Sequence, residues 1–177
     1  MRDEALCANP PPVIVVYTLA HAVGALTAAV RARCAIVLSS APEAGVYAGP
    51  GWFRALIAAA RDAVPTARCS ALLDCGGEAG AALAAIRAEI ECVLFTGRGD
   101  VAARLADIAR RHGVRLETAR PAVALDLGDD FFAAPEQIER HCFRLLSRCI
   151  VRRVPGAAPE SGSGAPPACR PGEDWRG

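Results

Sequence analysis

The residue with the clearest chemical potential is an aspartate that closes an apolar run. In RCSALLDC (68–75), Asp74 ends a strand-like segment that has no packing need for a carboxylate. A glycine turn, Gly76-Gly77, follows it. A carboxylate so placed can move a proton, hold a cation, or cap the next turn. Its neighbour Cys75 gains no activation, because an adjacent carboxylate raises a thiol pKa. Other polar residues sit where further apolar runs end: Thr18 and His21, Ser39 and Ser40, Thr96 and Arg98, and Glu117. Asp126, Asp129 and Asp130 follow a weaker run.

Two of these turns suit an anion. DCGGEAG and TGRGD each place two glycines before a helical stretch, the second with Arg98. Helix-starting N–H groups favour negative charge, and arginine grips phosphate with two donors. Asp74 is therefore the candidate catalytic group. Ser39, Ser40, Gly76, Gly77, Thr96, Gly97 and Arg98 are the candidate substrate-binding set. Cys75, Glu117 and His21 are the candidate metal ligands, since thiolate, carboxylate and imidazole all bind zinc. No local spacing enforces that grouping. The two other histidines read differently. His112 ends a helix beside Arg110 and Arg111, and His141 lies partly exposed on the last helix.

These positions need elements to carry them. Short β-branched runs alternate with alanine-rich helical stretches. Strands are expected at 13–18, 34–40, 68–75, 91–97, 114–118 and 122–127. Helices are expected from after residue 18 to about 32, then at 52–64, 78–90, 100–112 and 135–150. Counted from Val13, Cys34, Cys69, Glu91 and Val114, the first five strands start 21, 35, 22 and 23 residues apart, which is the spacing of βα units. The runs are continuously apolar, as in a parallel sheet. The class is thus α/β: a parallel sheet of five or six βα units, either half-barrel-like or an open doubly wound, flavodoxin-like sheet. Residues 1–12 form an N-terminal extension, 13–150 the α/β domain, and 151–177 a disordered tail rich in proline and glycine.

Composition excludes several activities. All 20 basic residues are arginine, so a Schiff-base lysine, a lysine-held PLP and a Walker-type loop are absent. A net charge of +1 and 5% aromatics argue against a nucleic-acid partner. The segment 13–30 carries no formal charge, yet His21, its alanines and glycine, and the three preceding prolines read as a strand entering a helix rather than a membrane span. Eight cysteines without a C-x-x-C pair read as buried free thiols in a reducing cytoplasm.

Four segments in order, ALLDCGG, ECVLFTG, IARRHG and VRLETA, resemble the middle of class II (metal-dependent) ketose-bisphosphate aldolases. Their motifs there run LDHG, SVMxDGS, AHxxG and VEAELG. The resemblance implies a TIM-barrel-like half, truncated and degenerate. It implies a proton-transfer role for Asp74, a metal ligand at Cys75, and Glu117 at the glutamate of VEAELG. Cys75 stands where that family has a metal-binding histidine, and Thr96 where it has an aspartate. The expected function is an aldolase-like domain that binds a small anionic metabolite, with weak or no lyase activity. The alternative is a non-enzymatic, flavodoxin-like protein-interaction domain. A homo-oligomer fits either.

Overall fold

A computed structural model describes residues 10–151. The apolar runs become six strands: β1 (Val13–Val16), β2 (Ile36–Ser40), β3 (Cys69–Asp74), β4 (Cys92–Leu94), β5 (Arg115–Glu117) and β6 (Val123–Asp126). The helices between and after them are α1 (Leu19–Arg31), α2 (Ala44–Tyr47), α3 (Gly49–Ala63), α4 (Ala79–Arg87), α5 (Gly99–Arg111) and α6 (Pro135–Val151). Local chemistry sets several ends. The Thr18 hydroxyl accepts the His21 N–H and so starts α1. Pro50 occupies the first turn of α3, where a missing N–H costs nothing. Gly113, at φ 68°, takes the left-handed turn after α5 that a Cβ would oppose. Two details depart from the sequence expectation. The 41–51 loop contains the short α2, and α3 begins at Gly49 rather than at residue 52. The expectations for 1–9 and for the tail beyond 151 lie outside the described residues.

All six strands are parallel, in the order β5-β4-β3-β2-β1-β6. From β1 to β5 each new strand is added on the same side. Right-handed crossovers repeated in one direction place every helix on one face. The helices accordingly form a single layer in which α6 packs on α1, α1 on α3, α3 on α4 and α4 on α5. Ile14, Val16, Ile36, Leu38, Leu73 and Val93 point into this main core. The alternate residues Val13, Val37, Leu72, Cys92 and Leu94 form a second, smaller cluster on the opposite face. Of the two expected forms, the half-barrel-like one is present. Among the described residues, no helix layer covers the second face.

The last crossover requires the sheet to curve. Residues 118–122 alone join β5, at one edge, to β6, at the other. Six flat strands at about 4.8 Å spacing would set the edges about 24 Å apart. Six residue steps reach at most about 22 Å, and the chain must also descend from the carboxyl end of β5 to the amino end of β6. The sheet therefore curls toward its second face, and the short segment bridges that concave side.

Candidate functional site

Asp74 is the last residue of β3, in the middle of the sheet, and is 2% exposed. Alternation puts its side chain on the concave face with Leu72. A buried carboxylate there requires partners, and it has them. Oδ1 accepts the Gly76 N–H at 2.8 Å, closing the turn. Oδ2 is paired with the guanidinium of Arg120, carried by the bridging segment. The Asp74 N–H donates to the Ser40 hydroxyl at 3.0 Å, and that hydroxyl donates to the Ala41 carbonyl. The Ser39 hydroxyl donates to the Ser40 carbonyl. The sequence candidates at the ends of β2 and β3 are thus gathered, but Ser40 and Asp74 are spent on holding the strand ends and the turn.

The two glycine turns pack directly on each other. The Thr96 N–H donates to the Gly76 carbonyl at 2.8 Å. A Cβ on Gly97 would lie 2.9 Å from the Gly77 carbonyl oxygen and 2.4 Å from the Phe95 ring, so only glycine lets the turns approach. Gly76 has φ +54° and faces the Glu43 side chain, which starts α2 from a left-handed backbone conformation. The first residues of α4 and α5 therefore emerge side by side, and neither helix has a side-chain cap. Arg98 precedes α5 but is turned onto Asp100, with which it shares two hydrogen bonds.

The structure does not bring the expected metal set together. Among the described residues, no group of three or more His, Cys, Asp or Glu could hold a metal ion. Cys75 alternates onto the helix-covered face and is fully buried, with Gly45 packed against its sulfur. Burial, and secondarily Asp74, push its thiol up to about 12, so it is a neutral core residue. Glu117 lies two strands from β3 and pairs with Arg115 at 3.1 Å. His21 follows β1, two strands away on the other side, and is fully buried. The Tyr17 N–H donates to its Nδ1, and its Nε2–H donates to the Asp130 carbonyl, both at 3.3 Å. Burial lowers its pKa, against the opposing pull of Asp130. It is a neutral core histidine. The cysteines behave as expected where described: Cys34, Cys75, Cys92 and Cys142 are buried thiols outside any disulfide, and Cys69 is half-buried.

Sequence reasoning missed Arg120, Glu43, Tyr17 and the surroundings of His141. Tyr17 is pushed up to about 12, first by burial and then by its hydrogen bond to Asp126. His141 Nδ1 meets the Asp130 carboxylate at 2.7 Å. The one available signal was the spacing of Gln137, Arg140, His141 and Arg144, which places polar groups along one side of α6.

Fold and site together define a one-layered α/β half-barrel with glycine turns at its carboxyl edge. Among solved structures, it is similar to a protein described as a fructose-1,6-biphosphate aldolase from Coccidioides immitis, with TM-score 0.51 and 18% identity over 60% of this chain and 39% of that one. A second, described as a tagatose 6 phosphate kinase from Sinorhizobium meliloti 1021, has TM-score 0.47 and 15% identity over 80% of this chain and 47% of that one. The chain thus spans less than half of either protein. The first likeness makes the fold aldolase-like at the level of shape. No family model and no curated protein matches the chain. Among the described residues, no helix is long and apolar enough to cross a membrane.

Proposed function

We propose that this domain binds a small anionic metabolite at the carboxyl ends of β3 and β4, with little or no lyase activity. One observation carries the reading: α4 and α5 start side by side, both without a side-chain cap, in glycine turns locked together by the Thr96–Gly76 hydrogen bond. Their free N–H groups and positive dipole ends suit a phosphate or carboxylate. Arg98 stands at the rim, and its exposed pair with Asp100 is weak enough for a ligand to compete. The class II aldolase resemblance and the aldolase-like shape are consistent with a sugar phosphate as ligand. The scattered Cys75, Glu117 and His21 do not fit that family's metal, and both oxygens of Asp74 are engaged. Asp74 then shapes the turn, and metal-dependent aldol cleavage is not expected of it.

The test is a titration of the full chain with fructose 1,6-bisphosphate and with fructose, followed by the backbone amide resonances of 77–80 and 97–100. The bisphosphate should shift them saturably and fructose should not. Gly77→Asp places a carboxylate in the turn, where a Cβ meets only the Gly97 Cα at 3.8 Å. That variant should fold and lose the response. An unresponsive parent, or a fully responsive Gly77→Asp variant, would overturn the reading. Added zinc should leave bisphosphate cleavage at background.

A second reading, a non-enzymatic interaction domain, is favoured by Phe132, which is 96% exposed beside a half-exposed Phe131. It predicts a concentration-dependent sedimentation coefficient that Phe132→Ser abolishes.

A further inference from the structure

The loop after β6 and the polar side of α6 border an open hollow of about 330 Å³, lined by Asp130, Gln137, Arg140, His141 and Arg144. We infer that it is a second anion site, for the phosphate group of a small phosphorylated molecule, separate from the glycine turns of β3 and β4.

Three observations converge on it. Arg140 and Arg144 are one helical turn apart, both line the hollow, and neither makes an ion pair with any described residue. Two unpaired guanidinium groups beside one hollow match a dianion better than a single charge. His141 is oriented as well. The Asp130 carboxylate takes its Nδ1–H at 2.7 Å, which leaves Nε2 as the ring nitrogen available to a ligand. Gln137 adds an amide one turn earlier.

Backbone and side-chain hydrogen bonds tie the wall that holds this histidine to its neighbours. The Asp130 carbonyl accepts both the buried His21 Nε2–H and the Ala133 N–H, and the Asp130 N–H donates to the Leu127 carbonyl. On its opposite side, α6 is fixed by Ile138, Cys142 and Leu146, all buried. Ile138 rests against Gly24 of α1, where a Cβ would lie 2.8 Å from its Cγ2. His141 and the helix that carries the two arginines are therefore in place before any ligand arrives, which lowers the cost of binding. The volume suits a ligand of a few heavy atoms beyond the phosphate, at the lower end of small-molecule pockets.

The experiment follows the His141 ring resonances of the full chain during titration with inorganic phosphate, at constant ionic strength set by chloride. Inorganic phosphate should shift them saturably. Glycerol 3-phosphate in a parallel arm separates the sources: tighter binding than phosphate marks an ester site, and equal binding marks a site for free phosphate. Arg140→Gln and Arg144→Gln should each weaken binding about tenfold or more, and the double variant should remove it. Gly77→Asp should leave it intact, so failure here and failure at the glycine turns read out separately. A linear, chloride-like response, or an unchanged response in the double variant, would overturn the site.

Discussion

Two carboxylates at the same edge of the sheet have opposite surroundings. Asp74 is almost fully enclosed, and both its oxygens are occupied, by Gly76 and Arg120. Asp130 is about a quarter exposed, orients a histidine, and faces two arginines that lack acidic partners. Depth alone would rank Asp74 as the reactive group. Partner counting reverses the ranking, because a satisfied buried charge holds structure and an unsatisfied cationic rim invites a ligand.

The contrast breaks most sharply at Asp74. Asp74→Ala strands the buried Gly76 N–H and removes the partner of the half-exposed Arg120 guanidinium, and should cost about 2–3 kcal/mol. That is roughly 4–12 °C in melting temperature for a domain of this size. Asp74→Asn retains an acceptor for Gly76 but loses the ion pair, at about 1 kcal/mol. Equal melting of both variants and parent in calorimetry would mean that the turn does not need the carboxylate. The ion pair with Arg120 is what makes removal of this carboxylate costly.

At the other region the sensitive group lies beneath the cavity. His21 is neutral with its pKa lowered, so the unfolded chain binds the extra proton more readily. Its contribution is fully present above the unfolded histidine pKa of about 6.5 and is lost as pH falls through the folded value. The slope can reach about 1.4 kcal/mol per pH unit for one proton. Denaturant melts of the parent and of His21→Gln between pH 7 and pH 5 should diverge, with the parent losing more. Parallel curves would remove His21 from the acid response.

Thiol chemistry sharpens the first region further. Cys75, buried and held near pKa 12, should resist iodoacetamide at pH 8 in the native state, while the half-buried Cys69 reacts ahead of it. Mass spectrometry of the two peptides reads the order, and equal rates would contradict the burial. The smallest effect belongs to the surface staple between α1 and α6. Arg31 pairs with Glu139 at 2.5 Å and lies 4.3 Å from the Phe143 ring centroid. Glu139→Gln should cost about 0.5 kcal/mol or less by thermal denaturation, since the pair is exposed and the ring contact survives.

The strands were legible in the sequence because their burial leaves unbroken apolar runs, and Val13–Val16 and Ile36–Ser40 lie inside the expected segments. Strand order was not, since β6 could have followed β5 instead of crossing to β1. Arg120 sits in five residues without pattern, so its partner emerged only from the crossing. The Asp130–His141 pair joins a loop to a helix eleven residues on, and helical periodicity does not extend to a loop residue. The metal trio is kept apart by strand order: Cys75 points into the helix-covered core after β3, and Glu117 and His21 lie two strands away on opposite sides.

The bridging segment also constrains how the molecule folds. β1 pairs with β6, so residues more than a hundred positions apart, Val13 and Val123, must meet. Such a pairing gains nothing until the intervening chain is ordered, because closing so long a loop carries a large entropy cost. The first five strands can be added each beside its predecessor. β6 and α6 can dock only once β1 and α1 are in place. Refolding should therefore end with the cavity of α6, which makes that region the last to form and, under strain, the first to open.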